Sequence, residues 1–275
     1  MRPLTDRVVL ITGASRGLGV EMARRFAREG SRLALAARSG SDLEKVRAEM
    51  GERGAKAIAV PADVSDLESL RAMLKEVESG LGPVDVLVNN AGIEDVFDFE
   101  STSPDRIEQI VQVNLIGPLW LTRLVLPSMI ERRTGHICNI SSLAGVTPVP
   151  HNAVYSSTKH GLVGMSRSLR MELEEHGVEV SVVCPGFVEG GMFEKWGRPA
   201  LKSAGSVTME QVADAVLKAV TENKGEIVVT KGLGKIADVT FAAMPEFAAK
   251  MMKRVGGAKF LQEQARINAE KSAKR

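Results

Sequence analysis

Seven short runs rich in Val, Ile, Leu and Ala punctuate the chain, at residues 7–12, 32–37, 56–60, 84–89, 136–141, 178–184 and 226–230. They read as continuous apolar stretches, the pattern of strands buried on both faces, and amphipathic segments separate them. This alternation predicts an α/β fold: a doubly wound parallel sheet of about seven strands with helices on both faces. Ser41 with Glu44, Ser65 with Glu68 and Thr208 with Gln211 each fit a capping box, and Ser103 before Pro104 marks a further helix start. Gly117 and Pro118 interrupt the segment 104–131 and predict a kink or split just after Asn114.

A chain of 275 residues holds one large domain or two small ones, and no Pro/Gly/Ser-rich linker divides this one. The expected organisation is a single domain over 1–235 followed by a helical C-terminal extension over 236–275. The net charge of +2 and the aromatic fraction of 4% argue against nucleic acid as a partner and favour small-molecule chemistry. Cys138 and Cys184 both lie in apolar runs, so packing is their expected role, with neither disulfide nor metal site. The N-terminal residues lead directly into the first strand without a signal peptide, and no uninterrupted apolar run is long enough to span a bilayer. A cytoplasmic location follows as an expectation.

The first candidate site is T-G-A-S-R-G-L-G at residues 12–19, between the first strand and the first helix. Glycines allow a pyrophosphate to approach the backbone, and the helix N-terminus adds amide donors and a positive dipole end. At the end of the second strand, where a carboxylate would select NAD by its ribose hydroxyls, the chain reads A-A-R-S. Arg16 and Arg38 instead offer guanidinium forks to a 2′-phosphate, so the expected cofactor is NADP, as NADPH.

The second candidate is Tyr155, the chain's only tyrosine, with Lys159 four residues on. On a helix over 152–175 the two side chains share a face. An ammonium beside a phenol stabilises the phenolate and could make the pair an acid/base at working pH.

Together with N-N-A-G at residues 89–92, Asn114, and Ser142 thirteen positions before Tyr155, these motifs resemble the classical short-chain dehydrogenase/reductase family over residues 7–191. The glycine spacing G-x-x-x-G-x-G is the form that family uses on its Rossmann-type sheet. The resemblance implies a catalytic tetrad of Ser142, Tyr155, Lys159 and Asn114. Tyr155 would donate a proton to the carbonyl oxygen and Ser142 would orient it. Lys159 would lower the phenol pKa and hold the nicotinamide ribose, and Asn114 would connect Lys159 to solvent through a water. The thirteen-residue spacing selects Ser142 over Ser141. The implied cofactor residues are Gly13, Ser15, Arg16, Gly17, Leu18, Gly19, Arg38, Asp63, Val64, Asn90, Ala91, Gly92, Tyr155, Lys159, Pro185, Gly186 and Val188. Asp63 would accept from the adenine amino group, or else cap the next helix. In the P-G-x-V-x-T stretch of the family this chain has Glu189 in place of the threonine. Homo-oligomers, dimers or tetramers, are the implied assembly.

Residues 190–206 read as a substrate lid in which Met192, Phe193 and Trp196, with Ser142 and Tyr155, contact an apolar, lipid- or steroid-like carbonyl or alcohol. The alternatives are a 3-oxoacyl thioester substrate or a non-catalytic NADP(H)-binding regulator. From residue 231 onward ten Lys/Arg face four Asp/Glu, giving this region +6 and the remainder −4. Met244, Phe247, Met251 and Val255 recur at helical spacing beside Lys250, Lys253 and Arg254. Such a helix packs on the core or a neighbouring subunit, or lies over the substrate mouth, or rests peripherally on an anionic membrane.

Overall fold

The computed structural model describes residues 3–190, 205–231, 243–254 and 257–273. All seven expected strands form: β1 (Val8–Thr12), β2 (Arg32–Ala37), β3 (Ala57–Pro61), β4 (Val86–Asn89), β5 (Gly135–Ile140), β6 (Val178–Pro185) and β7 (Glu226–Val229). They make one parallel sheet in the order β3-β2-β1-β4-β5-β6-β7. The order reverses between β1 and β4, and the carboxyl ends of strands at such a switch point are where open α/β sheets bind ligands.

Helices cover both faces, as strands without a polar side require. On one face α1 (Leu18–Arg28), α2 (Gly40–Glu52) and α7 (Met209–Thr221) pack Met22, Phe26, Leu43, Met50, Val212 and Val216 against the sheet. On the other, α3 (Leu67–Leu81), α5 (Gly117–Glu131) and α6 (Ala153–Leu173) bury Leu70, Met73, Val77, Leu121, Val125 and Leu173. A polar thread crosses this second layer: Asn89 Nδ2 donates to Asn139 Oδ1 at 2.8 Å, and Asn139 Nδ2 donates to Ser166 Oγ at 2.9 Å. These buried amides tie β4 and β5 to α6, which fixes the helix that carries Tyr155.

The helix starts are partly as expected. Thr208 and Gln211 form a complete capping box, and Ser103 accepts from the Arg106 amide at the start of α4 (Pro104–Val111). Two starts are corrected. Ser39, not Ser41, caps α2, because β2 ends at Ala37 and the extended backbone of Ser39 points its hydroxyl at the Asp42 amide. Asp66, not Ser65, caps α3, since the Ser65 hydroxyl and amide are spent on Asp63 Oδ1 at 2.6 and 2.9 Å.

Between α4 and α5 the chain makes a π turn, Gln112–Ile116, with Asn114 inside it. The break is therefore at Asn114 itself, just before Gly117, whose added Cβ would lie 2.4 Å from the Val64 carbonyl oxygen. The continuous helical stretch Pro104–Glu131 is long and apolar enough, by length and composition, to cross a membrane, contrary to the sequence expectation. Its Leu121, Val125 and Met129 are buried against the sheet, the ordinary state of a core helix.

The C-terminal extension forms α8 (Pro245–Arg254) and α9 (Gly257–Ala273). Phe260, Leu261, Gln264 and Ala265 of α9 are buried, and Asn268 Nδ2 donates to the Val96 carbonyl at 2.9 Å. The extension thus packs on the loop that follows β4. Met244 and Phe247 are exposed, and the side chains of Met251 and Val255 lie outside the described residues.

Candidate functional site

The carboxyl ends of β1, β4, β5 and β6 converge on one edge of the sheet, and the predicted residues gather there. Gly13 and Gly17 adopt positive φ, and a Cβ at Gly13 would sit 2.9 Å from Ala91 Cα. A Cβ at Gly19 would sit 2.2 Å from the Gly13 carbonyl, so the turn closes tightly against α1. Around Gly17 nothing lies within 4 Å of such a Cβ, and no side chain caps α1, leaving its amide end open. Ser15 and Leu18 flank this opening.

Asn90 holds the turn from the β4 side. Its Nδ2 donates to the Thr12 and Gly13 carbonyls at 2.8 and 3.3 Å, while the Asn90 and Ala91 amides donate to Thr12 Oγ1. The Asn90 side chain therefore shapes the turn through its Nδ2.

Arg16 and Arg38 are exposed at the ends of the turn and of β2, and neither guanidinium forms an ion pair with a described carboxylate. Asp42, the carboxylate nearest in sequence beyond β2, is already engaged by Ser39 Oγ at 2.8 Å and Lys45 Nζ at 2.9 Å. Asp63 Oδ1 is used by Ser65, so the capping alternative weighed for Asp63 takes the form of a turn ahead of α3. Val64 sits behind it, its carbonyl against Gly117.

Tyr155 and Lys159 lie one turn apart on α6, and both are buried. Lys159 Nζ is 5.5 Å from the Tyr155 ring centroid and donates to the Ile140 carbonyl at 2.9 Å. Ser142, just beyond β5, acts on the Tyr155 phenol by lowering its pKa, and its hydroxyl caps a short turn at Ala144. The neighbouring Ser141 donates to the Lys159 carbonyl at 2.9 Å, so its hydroxyl is spent on structure, as the spacing argument required. Asn114 is wholly buried: Oδ1 accepts from the Ile93 amide, and Nδ2 donates to the Ile93 carbonyl and Thr158 Oγ1. Its amide locks the β4 loop to α6.

The electrostatics correct one expectation. Burial, then the charge of Glu94, hold the Tyr155 phenol above its ordinary value, opposed by Ser142. Burial also pulls Lys159 down to about 8, against Glu94 and Cys184. The lysine does not by itself make the phenol acidic, because burial strips water from both groups.

Beyond β6, Gly186 donates to the Val229 carbonyl at 2.8 Å, and Val188 bridges Val207. Glu189, standing where the family has threonine, accepts from Ser206 Oγ. Pro185 ends β6. Met192, Phe193 and Trp196 lie outside the described residues.

Glu94 and Asn152 are at the site without having been marked by the sequence pattern. Asn152 Nδ2 donates to Glu94 Oε1 at 2.7 Å. An acidic residue two positions beyond N-N-A-G was the available signal, but Glu94-Asp95 reads as an ordinary loop charge. Cys138 and Cys184 are free and buried.

The family model for short chain dehydrogenase matches residues 7–200. The ketoacyl reductase HetN of Nostoc sp. is 41% identical over 271 residues, covering 96% of this chain and 94% of that protein. Among solved structures, an actinorhodin polyketide ketoreductase variant with NADPH is 33% identical with a TM-score of 0.78, covering 83% of this chain and 97% of that one. A metagenomic short-chain oxidoreductase in complex with NADP is 33% identical with a TM-score of 0.72, covering 83% and 98%. With this sheet, this turn and this Ser-Tyr-Lys cluster, the chain belongs to the short-chain dehydrogenase family.

Proposed function

We propose that the protein is an NADPH-dependent carbonyl reductase that converts a ketone, or an aldehyde, to the alcohol. The observation that carries this reading is the cluster of Ser142 with the buried Tyr155 and Lys159 at the carboxyl edge of the sheet, the edge that also carries an open Gly-rich turn. The turn fits a dinucleotide, since the free space at Gly17 and the uncapped end of α1 suit a pyrophosphate. Exposed Arg16 and Arg38, neither in an ion pair with a described carboxylate and with Asp42 already engaged by Ser39 and Lys45, favour a 2′-phosphate. When bound, the reduced nicotinamide supplies a hydride to the carbonyl carbon.

The residues of this chain do the rest. Tyr155, kept protonated by burial, gives its phenolic proton to the carbonyl oxygen as that oxygen gains charge. Ser142 donates a hydrogen bond to the same oxygen. Lys159, held by Ile140, stands ready to stabilise the phenolate left behind. Asn114 positions α6 and the β4 loop.

Between the two substrate readings, the names of HetN and the actinorhodin enzyme favour a 3-oxoacyl group over a steroid-like ketone. The regulator alternative is disfavoured by the intact Ser142, Tyr155 and Lys159 cluster. A homo-oligomer, a cytoplasmic location and the division at residue 235 remain parts of this proposal.

The test is NADPH oxidation across a panel running from 3-oxoacyl thioesters of increasing chain length to carrier-free apolar ketones and aldehydes. Turnover confined to thioesters supports the ketoacyl reading, and turnover that rises with apolar size on free ketones supports the lipid-like one. Tight NADPH binding with no turnover on any member would contradict both.

A further inference from the structure

The loop after β4 brings a carboxyl group to the start of the helix that carries the catalytic pair. Glu94 accepts from Asn152, the residue immediately before α6 and three positions ahead of Tyr155. Asn152 is 4% exposed and its own Oδ1 is buried without a partner among the described residues, so its amide is turned toward Glu94 at the expense of that oxygen. The backbone beside Glu94 is held from three directions. Ile93 is bonded through both its amide and its carbonyl to Asn114, Asp95 pairs with Arg106 of α4, and the Val96 carbonyl takes Asn268 of α9. A Cβ added at Gly92 would be in ordinary contact with Lys159 Nζ, 3.7 Å away, so the loop runs beside the lysine. This carboxyl is not a swinging surface charge.

We propose that Glu94 is a positioning residue of the catalytic centre: anchored by Asn152, its carboxylate holds Lys159 charged and Tyr155 protonated, extending proton donation to higher pH. The consequence rests on the carbonyl-reductase reading above, whereas the charge coupling itself does not. A carboxylate opposes a nearby phenolate and favours a nearby ammonium, and both effects reach these two groups. Burial lifts Glu94 to about 7, against Asn152 and Lys159, and Asp95 adds to the rise. Its charge therefore changes within the working range. The other charged groups around it are committed: Arg106 to Asp95, and His151 to Asp98. Cys184, pushed by burial to about 12, remains a neutral thiol.

A double-mutant cycle of Glu94→Gln and Lys159→Met in the cofactor-free protein, followed by chemical denaturation, reads the coupling without turnover. Glutamine keeps an acceptor for Asn152 while removing the charge. At pH 7.5 the unfolding constants of the single variants should fail to multiply to that of the double variant, by roughly three- to tenfold. At pH 5, where Glu94 is neutral, they should multiply. Additivity at both values would overturn the proposal, and a discrepancy equal at both would reduce Glu94 to a packing residue. In the active enzyme, the acid limb of alcohol oxidation should move down by on the order of half to one pH unit in Glu94→Gln, and an unmoved limb would count against it. Should no alcohol turn over at all, the functional reading fails, while the cycle still decides the coupling.

Discussion

Lys159 Nζ stands 5.5 Å from the centre of the Tyr155 ring and is held there by the Ile140 carbonyl at 2.9 Å. The arrangement keeps an ammonium where it has lost its water before any phenolate exists to attract it. A centre built this way trades stability for readiness.

That trade is measurable. Burial lowers Lys159 from its ordinary 10.5 to about 8, a difference worth on the order of 3 kcal/mol. Below pH 8 the folded and unfolded chains both carry the proton, so the cost is present in full. From about 8 to 10.5 the folded lysine is neutral while the unfolded one stays charged, and stability rises with pH. Lys159→Met should therefore be more stable than the parent at pH 7, with the gain reduced by the lost bond to Ile140 and closing toward pH 10.5. Denaturant midpoints across that range check it.

The cofactor preference should follow two guanidinium groups. Arg16→Ala and Arg38→Ala should each weaken NADPH binding by on the order of tenfold while leaving NADH nearly untouched. Fluorescence titration with both dinucleotides decides it. Equal losses for the two would point to a general packing role.

Gly145 lies under α6, where an added Cβ would be 2.4 Å from Ser141 Oγ and 2.7 Å from the Lys159 carbonyl. Gly145→Ala must push the helix carrying Tyr155 away from β5. The expected loss is ~1–3 kcal/mol by thermal or chemical denaturation, with turnover falling further than stability because the catalytic pair moves with the helix.

The C-terminal extension should act on the active-site loop. Asn268→Ala removes the donor to the Val96 carbonyl, at a cost of about 1–2 kcal/mol. The Phe97 amide, bonded to the His151 carbonyl, should then exchange with solvent faster. Unchanged exchange would mean that the extension merely rests on the domain.

How much of this was legible in the chain differs by layer. The seven strands were visible because parallel strands buried on both faces have no polar side to confuse the pattern. Tyr155, Lys159, Ser142 and the Gly-rich turn were visible because their spacing is short and local. The caps at Ser39 and Asp66 were misplaced by one or two residues, since cap choice depends on where the chain leaves the preceding strand. The amides of Asn90 and Asn114 also staple loops, a role that only their three-dimensional partners reveal. Glu94 was passed over because a loop carboxyl acquires meaning only when a helix start 58 residues later meets it. The helicity of the extension was plain from its period, but its partner, the loop after β4, was not.

The most direct measurement is a single turnover of the Tyr155→Phe variant, with NADPH binding to it confirmed by fluorescence. Loss of hydride transfer by on the order of a hundredfold or more, with the NADPH affinity of the parent retained, is the predicted result. Hydride transfer at the parent's rate would contradict the account, since the proton would then reach the carbonyl from elsewhere.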